Sequence, residues 1–147
     1  MSSESQLKPT NTDRVSHLSE LLRSMRPRLN EGVYVFLSVA ANADNETLRP
    51  IATCREDEGL SVIVEESQIE GTGMHVLFRA AWITLTVNSD LHAVGLTAAV
   101  ARALADKGVS CNVVAAANHD HLFVPVESAD AAMAALKELQ SGIDASV

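Results

Sequence analysis

The pattern that most restricts the fold lies between residues 80 and 142. "AAWITLTVN" (80–88) alternates Ala81, Ile83, Leu85 and Val87 against Trp82, Thr84 and Thr86, the period of a strand with one face on a core. Residues 91–107 read as a helix with Val94, Ala98, Ala101, Leu104 and Ala105 on its apolar stripe, Ser89 or Asp90 as N-cap, and Gly108 as its stop. "CNVVAAAN" and "HLFVPV" form a hairpin, with Pro125 at an edge or a strand end because it has no N–H for the ladder. "SADAAMAALKELQSG" is a closing helix, capped by Ser128, with Ala132, Ala135, Leu136 and Leu139 facing inward. The order β-α-β-β-α sets helices on one face of an antiparallel sheet, which is most of a ferredoxin-like βαββαβ unit.

The first half is poorer in helix. Val15, Leu18, Leu21, Leu22 and Met25 make one helical stripe that Pro27 ends. "GVYVFLSVA" (32–40) is apolar on both alternating sets and so predicts a strand covered on both faces. "PIATCRE" and "LSVIVEE" flank Glu56-Asp57-Glu58-Gly59, a hairpin turn whose glycine suits a positive φ. "SQIEGTG" reads as a short helix or loop, and Gly71 and Gly73 mark a junction. The economical architecture is two small α/β sandwiches that share strands or pack edge to edge. The boundaries expected are a disordered tail at 1–12, an N-terminal domain at 13–74 and a C-terminal domain at 75–147.

Composition excludes several functions. The net charge of −8 and pI near 5.0, with no basic patch beyond a loose Arg23, Arg26, Arg28 cluster, argue against nucleic acid or an anionic membrane as partner. No segment approaches the ~20 apolar residues of a membrane span and no signal peptide is apparent, so a cytoplasmic protein is expected. Cys54 and Cys111 lie far apart with no metal-ligand spacing and read as small buried apolar residues.

Two places could carry chemistry. At the turn from Val87 into the second helix, Asn88, Ser89, Asp90, Leu91, Val94, Gly95 and Leu96 surround a helix N-terminus, whose free N–H groups and partial positive charge suit a carboxylate. Gly95 either permits close approach of a ligand or lets the helix pack tightly on its neighbours, and Asp90 is either an ammonium partner or an acidic cap. The second place is His119-Asp120-His121. On a strand its histidines share one side and Asp120 the other, which leaves zinc short of the three or four ligands it takes unless His75, His92 or Cys111 contributes. No nucleophile or paired carboxylate accompanies the triplet, so its side chains are expected to satisfy the hairpin and the domain interface, or to touch a polar ligand. Trp82, Thr84 and Thr86, with Tyr34 and Phe36, are core or line a pocket between the domains.

Several stretches also resemble a family. Residues 78–139, with "LLRSMRPRLNEGVYVFLSV" and "REDEGLSVIVEE" upstream, are similar to small bacterial proteins built from two ACT domains, and through them to the regulatory region of aspartokinase and the CASTOR-family arginine sensors. The resemblance spans residues 16–140 and is most specific at Glu58-Gly59, at Leu91-x-x-Val94-Gly95-Leu96-Thr97, and from Asn112-Val113-Val114 into His119-Asp120-His121. The chain departs from the pattern at Asn88-Ser89-Asp90 and at Ala116-Ala117-Asn118, both next to the expected ligand. The resemblance implies an α+β fold of two ferredoxin-like ACT-type (βαββαβ-related) sandwiches with antiparallel sheets. It implies a non-catalytic regulatory protein that binds a small molecule, an amino acid by family habit, through the residues named above, with no cofactor and no metal. The alternative is a ligand-free interaction module that forms a homodimer through its sheet edges.

Overall fold

A computed structural model describes residues 11–42, 47–87 and 91–145, with side chains from 17 to 142. Most of the expected tail and the expected cap residues Ser89 and Asp90 lie outside the described residues. In chain order the elements are α1 (Asn11–Ser24), β1 (Pro27–Leu29), β2 (Tyr34–Val39), β3 (Ala52–Glu56), β4 (Gly59–Glu65), β5 (Phe78–Leu85), α2 (Leu96–Asp106), β6 (Asn112–Ala115), β7 (Asp120–Pro125) and α3 (Ala129–Ala145). Single 3-10 turns, Glu66–Ile69 and Val126–Ser128, follow β4 and β7.

All seven strands join one antiparallel sheet in the order β3-β4-β2-β5-β7-β6, with β1 also on β5. β5 is the hinge of this order. Along one edge it pairs first with β2, through Phe78 to Ala80, and then with β1, through Ile83 to Leu85. Along the other edge it pairs with β7 from Ala80 to Leu85. Two ferredoxin-like orders therefore overlap on β5. The set β1-β5-β7-β6 has β5 and β7 central, and β1, supplied from earlier in the chain, takes the place of the last strand. The set β3-β4-β2-β5 uses β5 as its own last strand, with the 3-10 turn where a helix would otherwise cross.

The three helices cover one face. Leu21, Leu22 and Met25 of α1, Leu96, Val100 and Leu104 of α2, and Ala132, Ala135 and Leu136 of α3 close on Ala81, Ile83, Leu85, Leu122 and Val124 of the sheet. Burying each large aliphatic side chain there is worth about 1.5–3 kcal/mol. Beyond β5 the same face is covered by chain rather than helix: Ile69 and Val76 pack on Val35, Leu37, Val62 and Val64. A small residue on each face of β5, Ala80 and Ala81, lets both layers approach this strand, and both are essentially fully buried.

Three expectations are corrected. α2 starts at Leu96 rather than residue 91, and Gly95, at φ +104°, is its N-cap, so neither Ser89 nor Asp90 holds that position. The left-handed backbone at Gly95 interrupts the helical spacing that Leu91 and Val94 share in the sequence, and both of these are well exposed. Leu104 is buried as expected, but its companions in the buried stripe of α2 are Leu96 and Val100 rather than Val94, Ala98, Ala101 and Ala105. Ser128, the last residue of the second 3-10 turn, directly precedes Ala129 at the start of α3. Cys54 is exposed because it sits on edge strand β3, whose residues from Thr53 onward face solvent. β1 was not expected at all: three residues ending in an exposed leucine carry no strand signal of their own.

The β3–β4 turn agrees with its sequence signature. Gly59 has φ +148°, and a Cβ there would stand 2.5 Å from the carbonyl oxygen of Val39. Backbone strain of this kind costs about 1–3 kcal/mol before any steric clash. Gly59→Ala is accordingly expected to lower unfolding free energy by at least that amount, read as an earlier urea midpoint with an unchanged slope.

Candidate functional site

The end of β5 leads to the start of α2. Val87 is buried under the helices, and residues 88–90 lie outside the described residues. Leu91 and Val94 emerge 68% and 60% exposed, while Leu96 turns inward at 3%. The N-cap Gly95 has no side chain to cap α2, and the first N–H groups precede the first intrahelical bond, from Ala99 N–H to the Gly95 carbonyl. The close neighbour of Gly95 is within the chain: a Cβ there would lie 2.9 Å from Leu18 Cδ2 of α1. A bulky residue at Gly95 would thus act through backbone and packing, whatever the site binds.

The His119-Asp120-His121 triplet divides between the two faces. His119 stands just before β7, in the turn closed by Ala116 N–H on its carbonyl, and its Nδ1 is 3.5 Å from the Val87 carbonyl oxygen. Asp120 pairs in register with Leu85 and Ala115 and is only 8% exposed. Burial raises its carboxyl pKa, against the pull of His121 and His119. His121 pairs with Thr84 and Val114 and lies on the face away from the helices. Among the described residues no three His, Cys, Asp or Glu side chains gather as a metal site.

On that far face His121 is held by an ordered network. Trp82 Nε1–H donates to His121 Nδ1 at 3.0 Å, and Thr84 Oγ1 is 3.2 Å from the same nitrogen. Asn30 Nδ2 donates to Thr84 Oγ1 at 3.0 Å and to the Trp82 carbonyl at 3.1 Å. An indole N–H can only donate, so Nδ1 is the acceptor and the neutral ring carries its proton on Nε2. Next to the ring lies a cavity of about 350 Å³, lined by Ile51 and Ala52 beside β3, Val114 and Ala116 beside β6, and Trp82, His121 and Phe123 between them. β3 and β6 are the two ends of the sheet order, so the sheet coils until its edges border one space. Trp82 was singled out by its sequence pattern; Phe123, Ala52 and Val114 were not, since only the coiling brings them together.

Burial is the main cause holding the His121 imidazole below its usual pKa, with help from His119 and Arg28 and against Asp120. The unfolded chain takes up this proton near the ordinary histidine value of about 6.5, while the folded chain resists it. The stability His121 contributes is therefore complete above that pH and is lost as pH falls toward the lowered folded value. Asp120, with its raised pKa, acts in the opposite sense from about pH 3.8 upward, a lower window. Thermal unfolding followed by circular dichroism should show the melting temperature falling between about pH 7 and 5.5, and His121→Asn should flatten that slope.

Two ACT domain models match the chain, one at residues 15–81 and the other at residues 78–138, and the two matches overlap within β5. A Vibrio cholerae protein of unknown function, a possible transport protein, shares 45% identity, covering 86% of this chain and 98% of its own, with a TM-score of 0.78. An Agrobacterium tumefaciens protein has 17% identity over 79% of this chain and 89% of its own, with a TM-score of 0.59. The ligand-free regulatory subunit of aspartate kinase from Thermus thermophilus has 12% identity over 79% and 96%, with a TM-score of 0.58; these two likenesses speak to fold. No curated protein matches by sequence. Two overlapping matches, a ferredoxin-like order on each side of β5, and a close structural relative over nearly all of its length lead to one statement: the chain belongs to the ACT-domain family, with two ACT domains in tandem.

Proposed function

We propose that the protein is a non-catalytic regulator that binds an amino acid where β5 turns into α2. The observation that carries this reading is the start of α2 at Gly95, a residue with no side chain to cap the helix, so that the N-terminal turn from Leu96 to Ala98 suits a carboxylate. Leu91 and Val94 offer exposed apolar surface beside it, and His119 comes up against the last residue before the turn. The Asp120 carboxyl, at the first pair of β7, suits the ligand ammonium, whose positive charge would offset the burial that raises the carboxyl pKa. Asn88, Ser89 and Asp90, which the sequence also assigns to the site, lie outside the described residues. Binding regulates only if the ligand prefers one of two states, and the fold offers a place for the second: the open edges of β3 and β6 can pair with another copy.

A thermal-shift panel of the twenty amino acids tests the reading. A ligand at about 100 times its Kd adds about 2.7 kcal/mol, a clear rise in melting temperature. One or a few amino acids should give this rise, and Asp120→Asn should weaken the response while the unliganded protein stays folded. A flat panel together with a concentration-dependent dimer would overturn the amino-acid reading in favour of an interaction module joined at the β3 or β6 edge.

A further inference from the structure

The far face of the sheet has a chemistry the proposed amino-acid site does not use. The chain contains only three phenylalanines, one tyrosine and one tryptophan, and all five gather there. Tyr34 meets Trp82 edge-on at 5.1 Å, and Phe36 meets Phe78 and Phe123 edge-on at 5.4 and 5.5 Å. Trp82 and Phe123, partners in the β5–β7 register, lie nearly parallel, 13° apart with centroids 6.3 Å from each other. The helix-covered face is aliphatic throughout its core. Such segregation leaves flat rings at the wall of the cavity and small side chains, Ala52 and Ala116, where its room is made.

The cavity carries one fixed polar group. With Nδ1 engaged by Trp82 and Thr84, His121 has Nε2–H left as a donor, and that atom has no partner among the described residues. Among the described residues no Lys, Arg, Asp or Glu lines the space, so a charged ligand would lose its hydration without a counter-charge in the wall. A volume of about 350 Å³ falls at the lower end of the range for small-molecule pockets.

We propose that this cavity is a second binding site, for a neutral molecule with a flat apolar body and one carbonyl or hydroxyl oxygen, which accepts a hydrogen bond from His121 Nε2–H. The body stacks on Trp82 and Phe123, and the Trp82–His121–Thr84–Asn30 network sets the direction of the donor before the ligand arrives. A zwitterionic amino acid is the wrong occupant here, which separates this site from the one at α2.

Because Trp82 is the single tryptophan, its indole Nε1–H gives one resonance in a ¹⁵N-correlated NMR spectrum of the full chain. Acetophenone and ethylbenzene, of similar shape but with and without a carbonyl, are the probes, and phenylalanine is the charged control. Acetophenone should move the Trp82 resonance saturably, ethylbenzene should bind about fivefold to tenfold more weakly, and phenylalanine should leave the resonance still. His121→Asn keeps an acceptor for Trp82 but removes the Nε2–H donor, so it should bring acetophenone down to the affinity of ethylbenzene. Ala52→Leu fills the space and should abolish the response to both, while any amino-acid hit in the thermal panel remains. An unmoved Trp82 resonance at the solubility limit of acetophenone overturns the proposal. So does equal binding of the two probes to the wild-type chain, a comparison that needs no variant to fold.

Discussion

The structure depends on one strand being buried on both faces and paired along both edges. β5 receives β2 and β1 end to end on one side and β7 on the other, so each ACT unit is complete only through a strand it shares. Its alternation does two jobs at once. Ala81, Ile83 and Leu85 enter the aliphatic core under the helices, while Ala80, Trp82 and Thr84 enter the ring cluster and the polar network on the far side. Loss of register by one residue would exchange these sets, placing Trp82 under α2 and α3 and Ile83 against His121. Register in β5 is therefore what keeps two chemically different faces apart.

That separation gives the two faces different capacities. The helix-covered side has an aliphatic core, and Asp120 lies at the edge of that layer, near the turn that precedes α2. The opposite side has no helix on it, and its rings cannot fill the concavity that coiling produces, so space remains beside Ala52 and Ala116. His121 belongs to this second side because β7 alternates. The triplet thus divides: His119 and Asp120 lie by the β5–α2 turn, and His121 lies beside the aromatic cavity.

Much of this was legible residue by residue. The opposite orientation of Asp120 and His121, the glycine requirement at Gly59, and the inward set Ala132, Ala135 and Leu136 of α3 all follow from local periodicity or backbone sterics. The errors share one cause, which is tertiary contact overriding a local pattern. Leu91 and Val94 continue the helical spacing, yet Gly95 takes a left-handed φ against Leu18 and starts α2 later. Cys54 alternates like a core residue, but β3 ends the sheet and nothing covers it. β1 is a strand only because β5 offers an unpaired edge where β2 departs.

The amino-acid sequence by itself determined the class of the fold, the positions of most strands and helices, the tight turn at Gly59 and the side to which each strand residue points. These depend on 2-residue and 3.6-residue periods and on φ preferences, which are properties of neighbours in the chain. Only the tertiary structure decided that the two halves share β5, that β1 completes the second ACT unit, and that Ile51 and Val114 border the same cavity 63 positions apart. Those outcomes depend on which edges are left unpaired and on how far the twist of seven strands accumulates. Neither is encoded within any short segment, because each is settled by strands that meet only after the chain has folded.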